Sequence, residues 1–173
     1  RDKGAPRMVY CSLADFGCLA ESVLQAGVSL QFQAHGSSMT PAIRDGDTLL
    51  IAPIQAHELR MGQIVLCQTE NNRYVVHRIV RRCRQQGGVS FLLKGDQCRS
   101  ADGWVDGSRI LGQAIQARRP GKTVRLGGAG QRVWGPLAAA LSLCNVFNSS
   151  LVLWLVRVRG RLRRTQISAP GAA

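Results

Sequence analysis

The chain has 173 residues, 45% hydrophobic and 19% charged. That balance excludes a disordered chain and allows one domain with its own core. Aromatics are only 5%, too few for platforms that stack single-stranded nucleic acid. The net charge of +13 favours anionic partners.

Residues 11–26 have the pattern of a helix. Ser12 is placed to cap it, with Asp15 three residues on. Leu13, Phe16, Ala20, Val23 and Leu24 recur at helical spacing, Cys18 and Leu19 widen the stripe, and Gly27 suits the position after the C-cap. The period then changes. Val28, Leu30, Phe32 and Ala34 alternate with polar residues, as in a half-buried strand. Further strands are expected at about 48–52, 63–68, 73–81, 89–94 and 110–117. Asp45-Gly46-Asp47, Asn71-Asn72, Gly87-Gly88 and Gly95-Asp96 supply the turns.

Short strands with tight turns predict a mainly β fold: a small, partly open antiparallel β-barrel-like domain. An N-terminal helix precedes it and a C-terminal helical segment follows. The expected divisions are a helical segment over 1–27, the β domain over 28–118, and a basic Gly-rich linker or ragged hairpin over 119–132. An apolar helical segment with an Arg-rich tail then covers 133–165, and a disordered tail 166–173. Residues 133–156 lack charge for about the length of a bilayer span, but Asn145, Asn148, Ser149 and Ser150 interrupt them. Arg157, Arg159, Arg161, Arg163 and Arg164 follow directly, a juxtamembrane pattern. Segment 133–164 is therefore the candidate for membrane association, and no nucleic-acid partner is expected. If 133–156 spans, the arginines stay cytosolic and the β domain is extracytoplasmic; a cytoplasmic domain is the alternative. The sequence opens on Arg1, so earlier residues are expected in the native protein, and the N-terminal stretch has no apolar run suited to a signal peptide or anchor.

The six cysteines, Cys11, Cys18, Cys67, Cys83, Cys98 and Cys144, include no C-x-x-C pair and no zinc spacing. They are expected to be buried or free thiols, with no metal and no cofactor.

Candidate chemistry begins at His35-Gly36-Ser37-Ser38-Met39-Thr40-Pro41, just after a strand. Small residues there admit a close substrate backbone, and neighbouring N–H groups can face an oxyanion. A serine needs a base. Of three histidines, His35 adjoins the loop and His57 sits in a polar connection, whereas His77 stands inside the apolar strand Tyr74–Val80. Asp96 and Asp102 both follow the next strand in turn-forming contexts, and spacing does not rank them as the acidic partner.

These segments resemble the boxes of the signal peptidases, the S24/S26-like serine peptidases. Gly36-Ser37-Ser38-Met39-Thr40-Pro41 resembles the nucleophile box, and Arg44-Asp45-Gly46-Asp47 the next. Gly62-Gln63-Ile64-Val65 is similar to G-D-I-V. Val76-His77-Arg78-Ile79-Val80 and Phe91-Leu92-Leu93-Lys94-Gly95-Asp96, with Asp102 beyond, resemble the His-dependent archaeal and endoplasmic-reticulum branch. The resemblance implies Ser38 as nucleophile, His77 as base, Asp102 as its acidic partner and Asp96 as a second acidic position shaping the site. It also implies oxyanion or substrate contacts from Gly36, Ser37, Met39 and Pro41, and a peptide or preprotein substrate. Bacterial signal peptidases and self-cleaving repressors carry lysine where this chain has His77. The chain departs from the pattern at Gly36, where many relatives have an oxyanion serine, at Gln63, and at Ala101, where a second aspartate is usual. The resemblance includes a leading anchor that this sequence lacks. Two alternatives share the motifs: a cytosolic leader- or self-processing peptidase, and a degenerate relative that binds peptide or membrane.

Overall fold

The computed structural model describes residues 13–85, 88–127 and 129–143. Cys11, Ser12, Gly87, Cys144, residues 145–156, the arginines from 157 to 164 and the tail 166–173 lie outside the described residues.

Helix α1 (Leu13–Gln25) ends as its glycine dictates. Gly27 takes φ +76°, its N–H bonds the Leu24 carbonyl, and the Val28 N–H bonds that of Val23 at 3.1 Å. This αL stop satisfies the last carbonyls of the helix. It uses Val28 for the cap, so the first strand starts two residues later than alternation suggests. Ala20 and Leu24 of α1 are buried, and Phe16 packs edge-on against Phe32 and Tyr74. Cys18 and Leu19 do not widen the stripe; both are exposed, because the buried face is the narrow one through Phe16, Ala20 and Leu24.

Eight strands follow: β1 (Leu30–Gln33), β2 (Thr48–Ala52), β3 (Ile64–Gln68), β4 (Tyr74–Gln85), β5 (Gly88–Lys94), β6 (Gly103–Asp106), β7 (Ile110–Arg119) and β8 (Lys122–Arg125). Helix α2 (Ala129–Leu143) comes after them. The sheet order is β1-β2-β7-β3-β4-β5-β6, with β8 on β7. All seven pairings are antiparallel. β1 and β6 do not meet, so the sheet stays open. Register shifts at Leu50/Ile51, Leu66/Cys67 and Ile79/Arg81 mark bulges, where strands bend and twist. This is the mainly β, partly open antiparallel fold expected from the sequence.

β3 is buried on both faces, so it reads as a continuous apolar run. Ile64 and Leu66 join a core with α1, Leu49, Ile51, Met39 and Ile43. Val65 and Cys67 join a second core with Leu59, Ile79, Phe91, Leu93 and Val105. Met39 and Ile43 come from the segment after β1, so the candidate nucleophile loop is anchored in the main core.

Burial, and secondarily the charge of Asp102, push the Cys67 thiol up to about 12. The native state then keeps this proton at alkaline pH while the unfolded chain loses it, so Cys67 lowers stability as pH rises above the ordinary thiol range. Iodoacetamide at pH 8 should modify exposed Cys18 first and leave Cys67 untouched until denaturant is added, as peptide mass spectrometry would read; early alkylation of Cys67 would contradict its burial.

Candidate active site

Two loops and one strand build the site. His77 lies within β4, on the face of Val75 and Ile79 by strand alternation. Its imidazole is almost enclosed, with a side-chain exposure of 9%. Nδ1–H donates to the Asp102 carboxylate in a short contact, and Nε2 lies 3.2 Å from Ser38 Oγ. Asp102 is set by its own backbone, since its N–H bonds the Leu93 carbonyl of β5 at 2.9 Å, just before β6 begins.

The Ser38 loop is fixed from three sides. Met39 is buried beneath it. Asp45 Oδ1 accepts the Gly36 N–H at 2.8 Å. The Ser38 carbonyl accepts the Gln97 N–H at 2.8 Å. Asp47 steadies the same stretch, accepting from the Arg44 N–H at 2.9 Å and from the Arg119 guanidinium at 2.6 Å. Ser37 is exposed, Pro41 is half-buried, and the Thr40–Pro41 peptide bond is cis. The Met39 side chain belongs to the core, so only its backbone can meet a substrate. The Gly36 N–H is already committed to Asp45.

Gly95 lies where the Ser38 loop meets His77. A Cβ there would stand 2.6 Å from Cys98 Sγ and 3.1 Å from both His77 Nε2 and the Ser38 carbonyl oxygen. Only glycine lets the two loops and the imidazole converge.

Residues 4–94 match the Peptidase S24-like family model. The chain belongs to this family. It is also 28% identical over 127 residues to the signal peptidase complex catalytic subunit SEC11C of Homo sapiens, of Mus musculus and of Canis lupus familiaris. The match covers 62% of this chain and 66% of each relative, so the chain spans just under two thirds of their length.

In this S24-like domain the two aspartates have separate places. Asp96 is fully buried and does not touch His77; its two oxygens each accept from Arg78, Nε and Nη2, at 2.7 Å. Arg78 Nη1 also donates to the Gly62 carbonyl at 2.7 Å. Asp102 keeps 25% side-chain exposure beside the imidazole. The other histidines stand elsewhere. His35 is exposed, 3.8 Å from Asp45, and His57 sits in a short 3-10 turn, where its carbonyl accepts from Arg82. Gln63, at the departure from G-D-I-V, accepts the Arg60 N–H at 2.7 Å and closes the turn before β3. Lys94 was legible only as part of a motif; it is a buried cation, 2% exposed. Burial lowers its pKa, against the opposing pull of negative charge at Asp96, Cys98 and Asp102. No group of three or more metal-ligating side chains occurs among the described residues.

These environments predict different costs. Asp96→Ala leaves Arg78 buried and unpaired and should lose about 3–5 kcal/mol of stability. Asp102→Ala, at the partly exposed site, should lose about 1 kcal/mol or less. Urea denaturation of both variants checks this; equal losses would contradict the division.

Proposed function

We propose that this S24-like chain is a serine endopeptidase that cuts signal or leader peptides through Ser38, His77 and Asp102. The observation that carries the reading is the hydrogen-bonded series from Ser38 Oγ through His77 to Asp102. Nε2 takes the Ser38 proton as Oγ attacks the scissile carbonyl. Asp102 holds the imidazole in the tautomer with a proton on Nδ1 and stabilises the cation that forms. His77 then protonates the leaving amine, and later takes a proton from the water that hydrolyses the acyl-enzyme.

The oxyanion donor in this mechanism is the Ser38 N–H, which has no acceptor among the described residues. Gly36 cannot add its own N–H while Asp45 holds it. The substrate lies extended along β1, which among the described residues pairs with β2 alone and leads straight into the Ser38 loop. The likeness to subunits named for a signal peptidase complex supports a secretory or leader peptide as substrate.

Incubation with signal-peptide-bearing preproteins and leader peptides, read by mass spectrometry, tests this. Ser38→Ala and His77→Ala should each lower kcat by about 10⁴-fold or more, and Asp102→Asn by about 10³–10⁴-fold. Undiminished cleavage by Ser38→Ala would sink the reading.

Membrane association of this domain is assigned to the outer face of α2. Pro136, Leu137, Ala140 and Leu143 are exposed along one side of the helix, and Leu137 is 48% exposed. β4, against which α2 packs, adds exposed Arg81, Arg82 and Arg84. Exposed leucines on α2 and exposed arginines on the strand it packs against suit an anionic lipid surface. Among the described residues no helix is long and apolar enough to cross a membrane. The full chain should co-sediment with phosphatidylserine vesicles and less with phosphatidylcholine vesicles. Leu137→Asp with Leu143→Asp should weaken that binding several-fold; unchanged binding would remove α2 as the contact.

A further inference from the structure

We infer that α2 is a clamp on the turn that seats Ser38, and that Lys94 and Ser142 are the positioning residues through which it acts. The inference rests on the reading of Ser38 as nucleophile for its catalytic consequence, and on geometry alone for the clamp.

α2 docks with an unusual face. Over 135–143 its buried residues are Gly135, Ala139 and Ser142, spaced four and three apart and so on one side. Its leucines at 137 and 143 face outward. Over that stretch the inward positions are small, so they bury little apolar area and let the helix backbone come close. Close backbone approach and polar contacts help to hold the helix.

Two such contacts exist, and both lead to the turn 95–98. At the first, a Cβ on Gly62 would lie 2.0–2.2 Å from the Gly135 backbone, so helix and turn touch without side chains. The Gly62 carbonyl takes Arg78 Nη1, and Arg78 grips Asp96 inside the turn. At the second, Ser142 Oγ lies 3.4 Å from Lys94 Nζ, which also donates to the Gly95 carbonyl at 3.2 Å. Lys94 has no carboxylate within ion-pair distance among the described residues. Its buried ammonium therefore depends on these neutral oxygens, and the loss of one leaves a cation poorly solvated.

The turn passes the constraint onward. The Gly95 carbonyl also accepts the Cys98 N–H at 3.1 Å, and between them the Gln97 N–H holds the Ser38 carbonyl at 2.8 Å. The clamp thus runs Ser142, Lys94, Gly95, Gln97, Ser38. With α2 seated, the nucleophile loop is locked against the 95–98 turn. With α2 lifted, Lys94 is exposed to water and the turn loosens. A ligand or surface that engages the outward leucines of α2 would act on Ser38 by this route.

Amide hydrogen exchange on the full chain tests the clamp without requiring activity. In Ser142→Ala the Gln97 and Cys98 amides should exchange about tenfold or more faster, while Leu66 and Ile79 keep wild-type protection. Ser142→Thr should restore the protection, and Lys94→Met should reproduce the loss. In the same proteins, kcat on a cleaved peptide should fall with KM unchanged. Unchanged Gln97 exchange in Ser142→Ala overturns the inference. So does protection lost equally at Leu66 and Ile79, or faster exchange with an unaltered kcat. A wild-type protein that cuts no peptide would defeat the catalytic reading alone, because the exchange comparison still decides the clamp.

Discussion

The register between β4 and β5 is the constraint from which the rest of the site follows. Arg78 stands directly opposite Lys94, so the next pair along places His77 beside Gly95. The first pair sets two cations side by side in a buried place, which is unfavourable unless an anion lies between them. Asp96 answers Arg78 directly, bidentate and two residues beyond Lys94, and favours the Lys94 ammonium only from beyond ion-pair distance. The second pair needs the opposite: empty space, so that Ser38 can reach the imidazole. Gly95 leaves that space. A slip of one residue would exchange the faces of β4, burying His77 among the cations and turning Arg78 toward Ser38.

Adjacent residues of one strand therefore serve different ends. His77 faces one side and meets groups that can exchange protons. Arg78 faces the other and meets groups that must not. A bidentate carboxylate fixes the guanidinium in plane and direction, so the backbone of β4 is pinned one residue from His77. The imidazole gains a fixed orientation while its own partner, Asp102, stays partly hydrated. The enclosed ion pair supplies rigidity and the half-open one keeps room for chemistry.

Much of this was legible in the sequence, and the gaps have physical reasons. Alternation gave β1 through β5 and β7, because each has one face, or both, in a core. β6 was missed: Asp102-Gly103 signals a turn, and the three residues after it are too few to show a period. The far end of β4 was missed because Arg81, Arg82 and Arg84 are exposed; it forms a ribbon with β5, where no core imposes a pattern. β8 lay within the basic stretch read as linker or ragged hairpin, and among the described residues pairs with β7. Ser38 and His77 stood out by motif order. The separation of Asp96 from Asp102 did not, since both sit in turns and only the fold decides which faces the arginine. Ser142 carried no signal, because a serine in an apolar helix reads as an interruption until the buried lysine opposite it is known.

The buried lysine bears on how α2 docks. Over 135–143, Leu137 and Leu143 point outward and Gly135, Ala139 and Ser142 inward, with Leu141 half-buried, which reverses the usual pattern. Read as an isolated helix, it looks misdocked. Read against Lys94, the reversal is required: an ammonium buried at the end of β5 needs oxygen acceptors, and a leucine at 142 would offer none. The small residues let the helix backbone come down to Gly62, and the serine reaches the cation. The leucines are then left outside by geometry rather than chance. A surface that binds them meets a helix whose inner face touches Gly62 and Lys94, so occupancy of the outer face and order at Ser38 are linked through the same short helix.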